Sequence, residues 1–172
     1  MAASKKPAAP AKANRPYPYY PVTKPGDGKL EGTEKFVDLC QKRWGFTNLG
    51  TWVVRNMRGK KTLSVHSLGV AGDIGYPATR DGRAKANEAW NWFIEHSEAL
   101  GLCELHDYKY GEYGRGYRCS RGEGVKGVKV FTATDNAGPG GAWLHFELEM
   151  DMATDAEKLE AAWRALPKPS AK

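Results

Sequence analysis

The most constraining stretch of this chain is Trp143-Leu144-His145-Phe146-Glu147-Leu148-Glu149-Met150. Side chains alternate between the two faces of a strand, so His145, Glu147 and Glu149 share one face and Leu144, Phe146 and Leu148 the other. A strand with that pattern belongs in an antiparallel sheet whose apolar face is buried and whose other face is polar. The polar face is where chemistry can be carried, and it already holds a histidine and two carboxylates.

Helices are needed to cover the apolar face, and three segments have helical spacing. Thr33 reads as an N-cap followed by Phe36, Val37, Leu39, Cys40 and Trp44, with Gly45 as the stop. Residues 84–100 place Trp90, Phe93, Ile94 and Ser97 on one side and end at Gly101. A third helix is expected from the box Thr154-x-x-Glu157 through Leu159, Ala162, Trp163 and Leu166. Between them, residues 51–57, 62–65, 73–77, 102–108 and 128–132 read as strands or short extended pieces. Residues 109–127, with six Gly and three Tyr, read as a long surface loop. The order predicts an α+β domain, a small antiparallel sheet with flanking helices. A chain of 172 residues suits one such domain, here 29–172.

Residues 1–28 differ in composition. They hold six of the ten prolines and five cations against one acid, so four of the six net positive charges lie there. This is the pattern of an extended arm or linker, although Tyr17, Tyr19 and Tyr20 equip it to pack on the domain or on a partner. With so much of the charge in a tail, a nucleic-acid partner is not expected; the tail could equally adhere to any polyanion. No apolar run is long enough for a membrane span, and the N-terminus has no apolar core of a secretory signal, which predicts synthesis and initial residence in the cytoplasm. Cys40, Cys103 and Cys119 are an odd number without metal-cluster spacing, which argues against a disulfide framework; Cys40 reads as a small core residue, and Cys103 and Cys119 flank one hairpin-like segment, where only an oxidising medium would pair them.

The chemistry is concentrated in Ser64-Val65-His66-Ser67-Leu68-Gly69-Val70-Ala71-Gly72-Asp73. His66, Asp73 and His145 together make a three-ligand zinc set with an open fourth position. Zinc so held can bring water near neutrality to the point of attacking an amide carbonyl. His106 could line the same cleft or be a hydrogen-bonded structural histidine. Trp143 could contact substrate or serve as a rim aromatic, and His96 reads as a surface residue of the long helix.

Ser64, His66, Gly69, Ala71 and Asp73 match every fixed position of Ser-x-His-x-x-Gly-x-Ala-x-Asp, and over residues 33–150 the chain resembles the LAS zinc peptidases. These are the D-Ala-D-Ala carboxypeptidases and dipeptidases and the phage L-alanyl-D-glutamate endopeptidases. The segments His106-Asp107-Tyr108 and 114–119 look like those of small peptidase-like proteins of actinobacterial phages. The resemblance implies a LAS/hedgehog-like fold with a Zn2+ site in a cleft on the sheet, ligated by His66, Asp73 and His145. It implies an arginine upstream of His66 that stabilises the transition state, Arg58 first and Arg55 second. Ser64, Trp143 and His106 are then substrate-binding candidates, and the partner is bacterial peptidoglycan, met at lysis as an endolysin or from the virion.

The chain departs from that pattern at Ala142, where the family carries an acid three residues before the last ligand. A methyl group cannot accept a proton, and general-base catalysis is typically worth about 10²–10⁴-fold. Three explanations stand: an engineered change, a naturally degenerate peptidase, or a replacement base, with Asp135 and Glu147 as candidates. Glu147 is equally suited to hydrogen-bond a ligand histidine from behind. The competing reading is an inactive peptidase fold, a virion structural or wall-binding protein anchored to other virion proteins through residues 1–28.

Overall fold

The computed structural model describes residues 14–135 and 140–169. The first part of the arm, residues 1–13, and most of the loop before Gly140 therefore lie outside the described residues. Six antiparallel strands form one sheet: β1 (Thr47–Gly50), β2 (Ala71–Gly75), β3 (Leu102–Asp107), β4 (Arg115–Arg118), β5 (Val128–Val130) and β6 (Trp143–Leu148), in the order β1-β2-β6-β3-β4-β5. The helices are α1 (Glu31–Trp44), α2 (Arg80–Glu95), α3 (Met150–Ala153) and α4 (Ala156–Ala165). The molecule is thus α+β, and no helix among the described residues is long and apolar enough to cross a membrane.

The alternation of β6 organises both layers. Leu144, Phe146 and Leu148 are fully buried. Phe146 meets Phe36 of α1 at 4.4 Å between ring centroids, and Phe36 in turn meets Phe93 of α2 and Trp163 of α4. One aromatic cluster therefore ties three helices to the central strand. Its anchors are the residues whose helical spacing predicted them.

Element boundaries moved where local hydrogen bonding overrode pattern. Helix α1 starts at Glu31, with Leu30 and not Thr33 at the cap position; Thr33 is buried in the first turn. Helix α2 begins four residues before the predicted Ala84, because the Thr79 side chain accepts from Gly82 N. It ends at Glu95 rather than Leu100. Asp155, not Thr154, caps α4 by accepting from Lys158 N, while the Thr154 hydroxyl donates back to the Met150 carbonyl.

Two larger expectations are corrected. Residues 51–57 are not a strand of the sheet. They pair only with the segment leading to His66, through Met57 N to Thr62 O, Ser64 N to Arg55 O and Val53 N to His66 O, with Asn56 bridging Leu63. Their apolar side chains gain no sheet face to cover them, and Val53 and Val54 remain 41% and 49% exposed. Conversely, residues 109–127 are no unstructured loop. Arg115–Arg118 is strand β4, paired with β3 from Glu104–Arg118 to Asp107–Arg115, and two short 3₁₀ turns follow. Its glycines disguise a strand whose Arg115 and Tyr117 are buried.

The described part of the arm lies against the domain. Arg15 pairs with Glu123 and Glu149 and donates to the Leu102 carbonyl; Tyr19 and Val22 are buried in the core; and the Tyr19 hydroxyl donates to the Leu148 carbonyl at 2.6 Å.

Candidate metal centre

His66 sits in a 3₁₀ turn, Val65–Leu68, just before β2. Ser64 closes this turn by accepting from Ser67 N and Ser67 Oγ through its carbonyl. Gly69 ends it at φ 80°, a left-handed conformation, with the Gly28 carbonyl so near that a Cβ would stand 2.5 Å from it. Only glycine fits there without strain. The chain then enters β2, whose Asp73 stands opposite His145 of β6, and the third strand of the group, β3, places His106 opposite His145 from the other side. Antiparallel pairing keeps opposed side chains on one face, so the register alone assembles Asp73, His145 and His106.

The contacting atoms are His66 Nε2, Asp73 carboxylate oxygens and His145 Nδ1. Nε2 of His66 is 3.2 Å from Nδ1 of His145 and 3.5 Å from Asp73 Oδ2, and His145 Nδ1 is 2.9 Å from Asp73 Oδ1. Donor atoms bound at about 2.0–2.1 Å around a tetrahedral ion stand about 3.3 Å apart, so these separations fit one cation between them. Among the described residues these three form a group able to hold a metal ion, all ligand atoms lying within 4.8 Å of one another. The site is recessed: Asp73 and His145 side chains keep 26% and 12% of their surface, and His66 less.

Electrostatics favour positive charge at this point. Burial resists ionisation of both Asp73 and His145, but their mutual hydrogen bond, with help from His66 and Glu147, outweighs it. The Asp73 carboxyl is held far below the usual carboxylate range and the His145 imidazolium well above the usual histidine range. A proton on His145 or a cation between the ligands satisfies the same need.

Behind these three residues lie two buried carboxylates, Glu147 and Glu104, and their partly buried partners. Glu147 Oε1 accepts from His145 Nε2 at 3.1 Å, which leaves Nδ1 as the atom turned to Asp73 and His66, and Glu147 Oε2 accepts from the Tyr17 hydroxyl at 2.7 Å. Glu104 Oε1 is 2.7 Å from His106 Nε2, while its Oε2 accepts from Arg118 Nε at 2.6 Å. His106 Nδ1 lies 3.3 Å from the Tyr108 hydroxyl, and the His106 and His145 rings are 5.9 Å apart. Opposite His106, Gly116 leaves space for the ring: a Cβ there would stand 2.8 Å from His106 Cδ2.

The remaining sequence candidates fall in different places. Trp143 is half-buried on the site face, with its ring 5.3 Å from that of Tyr108. Arg55 is exposed and pairs by backbone with Ser64, two residues before His66, whereas Arg58 is exposed farther away at the turn of that ribbon. Ala142 packs at the edge of the core, its carbonyl accepting from Tyr76 N. Asp135 does not face the centre as a free carboxylate: it binds Lys129 and accepts from Thr132 N and Thr132 Oγ1. Glu147, offered as a base, has both oxygens engaged. His96 is half-buried, its ring edge-on to Trp92 at 5.1 Å, not a free surface group.

Sequence reasoning missed Tyr17, Glu104, Tyr108 and Arg118. The signal for two of them was present, because Glu104, His106 and Tyr108 alternate along β3 as His145 and Glu147 do along β6. No protein-family model matches this chain, and no curated protein or solved structure matches it.

Proposed function

We propose that the protein is a zinc-dependent peptidase of the LAS type that cleaves a peptide bond in the stem of bacterial peptidoglycan. The observation that carries this reading is the convergence of His66 Nε2, Asp73 and His145 Nδ1 at 2.9–3.5 Å, formed by residues at the fixed positions of Ser-x-His-x-x-Gly-x-Ala-x-Asp and by the histidine of the last strand. Two imidazoles with one carboxylate suit zinc better than the hard, all-oxygen cations. Zinc bound there supplies Lewis acidity to a substrate carbonyl.

The chain's own residues divide the remaining work. Glu147 fixes the tautomer of His145. Trp143 and Tyr108 form an aromatic wall beside the centre. Arg55, nearer to His66 along the ribbon than Arg58, is the better-placed cation for developing negative charge. Ala142 is inert and Asp135 and Glu147 are engaged; His106, held at Nε2 by Glu104 and at Nδ1 by the Tyr108 hydroxyl, is engaged as well and serves to line the substrate side of the centre, so an acid restored at position 142 is the direct source of a general base. In a phage, such an enzyme would be made in the host cytoplasm and act at the wall from within or from the virion.

The test is release of free amines from purified cell walls by the zinc-loaded protein, beside Ala142→Asp and His106→Ala. Zinc-dependent release that rises in Ala142→Asp and falls in His106→Ala is expected. If zinc binds but neither the present chain nor Ala142→Asp releases amines, the peptidase reading is wrong. Ala142 favours a second reading, a peptidase fold retained as a wall-binding or virion structural protein, and wall binding without release would select it.

A further inference from the structure

We infer that Tyr17, delivered by the segment that precedes the domain, is a positioning residue of the metal centre, acting through Glu147 on His145. This rests on the reading of His66, Asp73 and His145 as metal ligands. Glu104 and Glu147 are cross-strand neighbours in β3 and β6, both 4% exposed. Like charges in that relation repel, and each needs a donor for every buried oxygen. On the histidine side the donors are His106 and His145. On the far side they are Arg118 for Glu104 and Tyr17 for Glu147.

Tyr17 serves both carboxylates. Its hydroxyl donates to Glu147 Oε2 at 2.7 Å, and its ring lies under the guanidinium of Arg118 at 4.4 Å, which holds that cation against Glu104. The same ring packs edge-on to Tyr19 at 6.0 Å. On either side of it the segment is fastened by Arg15, bound to Glu123 and Glu149, and by Tyr19, bound to the Leu148 carbonyl. A flexible spacer has no use for a phenol fixed at three points. A carboxylate that must hold one imidazole in one tautomer does, because a carboxylate bound at one oxygen only is free to turn.

Partners of this kind typically carry about 10–100-fold in metal affinity, and one step farther from the ion the effect belongs at the lower end. The experiment uses the full chain, stripped with a chelator, and measures Zn2+ affinity by competition with a chromogenic chelator and the visible absorption of the Co2+ form. Tyr17→Phe, which removes one hydroxyl, is expected to bind Zn2+ about tenfold more weakly and to shift the Co2+ bands. Tyr19→Phe, which removes a hydroxyl from the same segment that bonds the Leu148 carbonyl and not Glu147, is expected to match the wild type. Unchanged or tighter binding by Tyr17→Phe with the same Co2+ spectrum overturns the inference, as does equal weakening in Tyr19→Phe. Should Tyr17→Phe not fold, Glu147→Gln takes its place and must weaken Zn2+ binding at least tenfold. A wild-type protein that binds neither ion overturns the metal centre itself, a result distinct from a wild type that binds and variants that do not differ.

Discussion

Glu104 and Glu147 face each other across strands β3 and β6, and each holds one histidine of the site, Glu104 binding His106 at 2.7 Å and Glu147 binding His145 at 3.1 Å. Two buried carboxylates in direct register are costly, and their compensation by Arg118, Tyr17 and the two imidazoles makes the back of the centre a single polar network. Such a network rigidifies when complete and fails where one member is removed.

Metal binding is expected to stabilise the fold. With free zinc at a hundredfold its dissociation constant, unfolding free energy should rise by about 2.7 kcal/mol. Asp73→Asn removes the carboxylate that both histidines face and should abolish the rise. Differential scanning fluorimetry with graded zinc reads both; a zinc-induced shift that survives in Asp73→Asn would count against the ligand assignment.

Acid should strike the Glu104 link. Burial opposes its ionisation, but the hydrogen bond to His106 and the charge of Arg118 outweigh this and pull its carboxyl down to about 2, below its ordinary value of 4.5. A carboxyl depressed in the folded state binds protons more readily when unfolded, so its contribution is complete above about pH 4.5 and is lost as pH falls toward 2. Glu104→Gln should cost on the order of 3 kcal/mol at pH 7, and that deficit should close between pH 4.5 and 2 in urea titrations. A deficit independent of pH over that range would refute the assignment.

Space at Gly116 should matter to His106. A Cβ would meet Phe131 Cζ at 2.5 Å and His106 Cδ2 at 2.8 Å. Gly116→Ala is expected to cost about 1–3 kcal/mol and to move the His106 imidazole resonances in NMR spectra, with little change at His66. Unmoved His106 signals would show that the ring does not depend on this gap.

Stability and chemistry separate at Asp107. It is fully buried, accepting from Arg83 Nη1 at 2.8 Å, Arg83 Nη2 at 2.6 Å and Arg115 Nε at 3.1 Å, and points away from the histidines by strand alternation. Asp107→Asn leaves two arginines under-compensated and should cost about 3–5 kcal/mol in chemical denaturation. Zinc affinity of the folded fraction should remain that of the wild type; a matching loss of affinity would join this cluster to the metal centre.

Strong periodicity made the frame legible in sequence. Leu144, Phe146 and Leu148 occupy the core face, and Phe36, Phe93 and Trp163 cover it, because alternation and helical spacing are local consequences of backbone geometry. The grouping of His66, Asp73 and His145, able to hold a metal ion, was likewise open to recognition, since their residue types and flanking small residues are themselves the signal. What only the tertiary structure decided is everything that depends on partners far along the chain. Residues 51–57 have the composition of a strand but found only a local ribbon to pair with, whereas Arg115–Arg118, set in a glycine-rich segment, became strand β4 because β3 offered it a register. Tyr17 reads as part of a proline-rich arm until folding brings it, 130 residues along the chain, to Glu147. Spacing and residue type encode short-range preference; cross-strand register and the satisfaction of buried charge are set only when the whole sheet has closed.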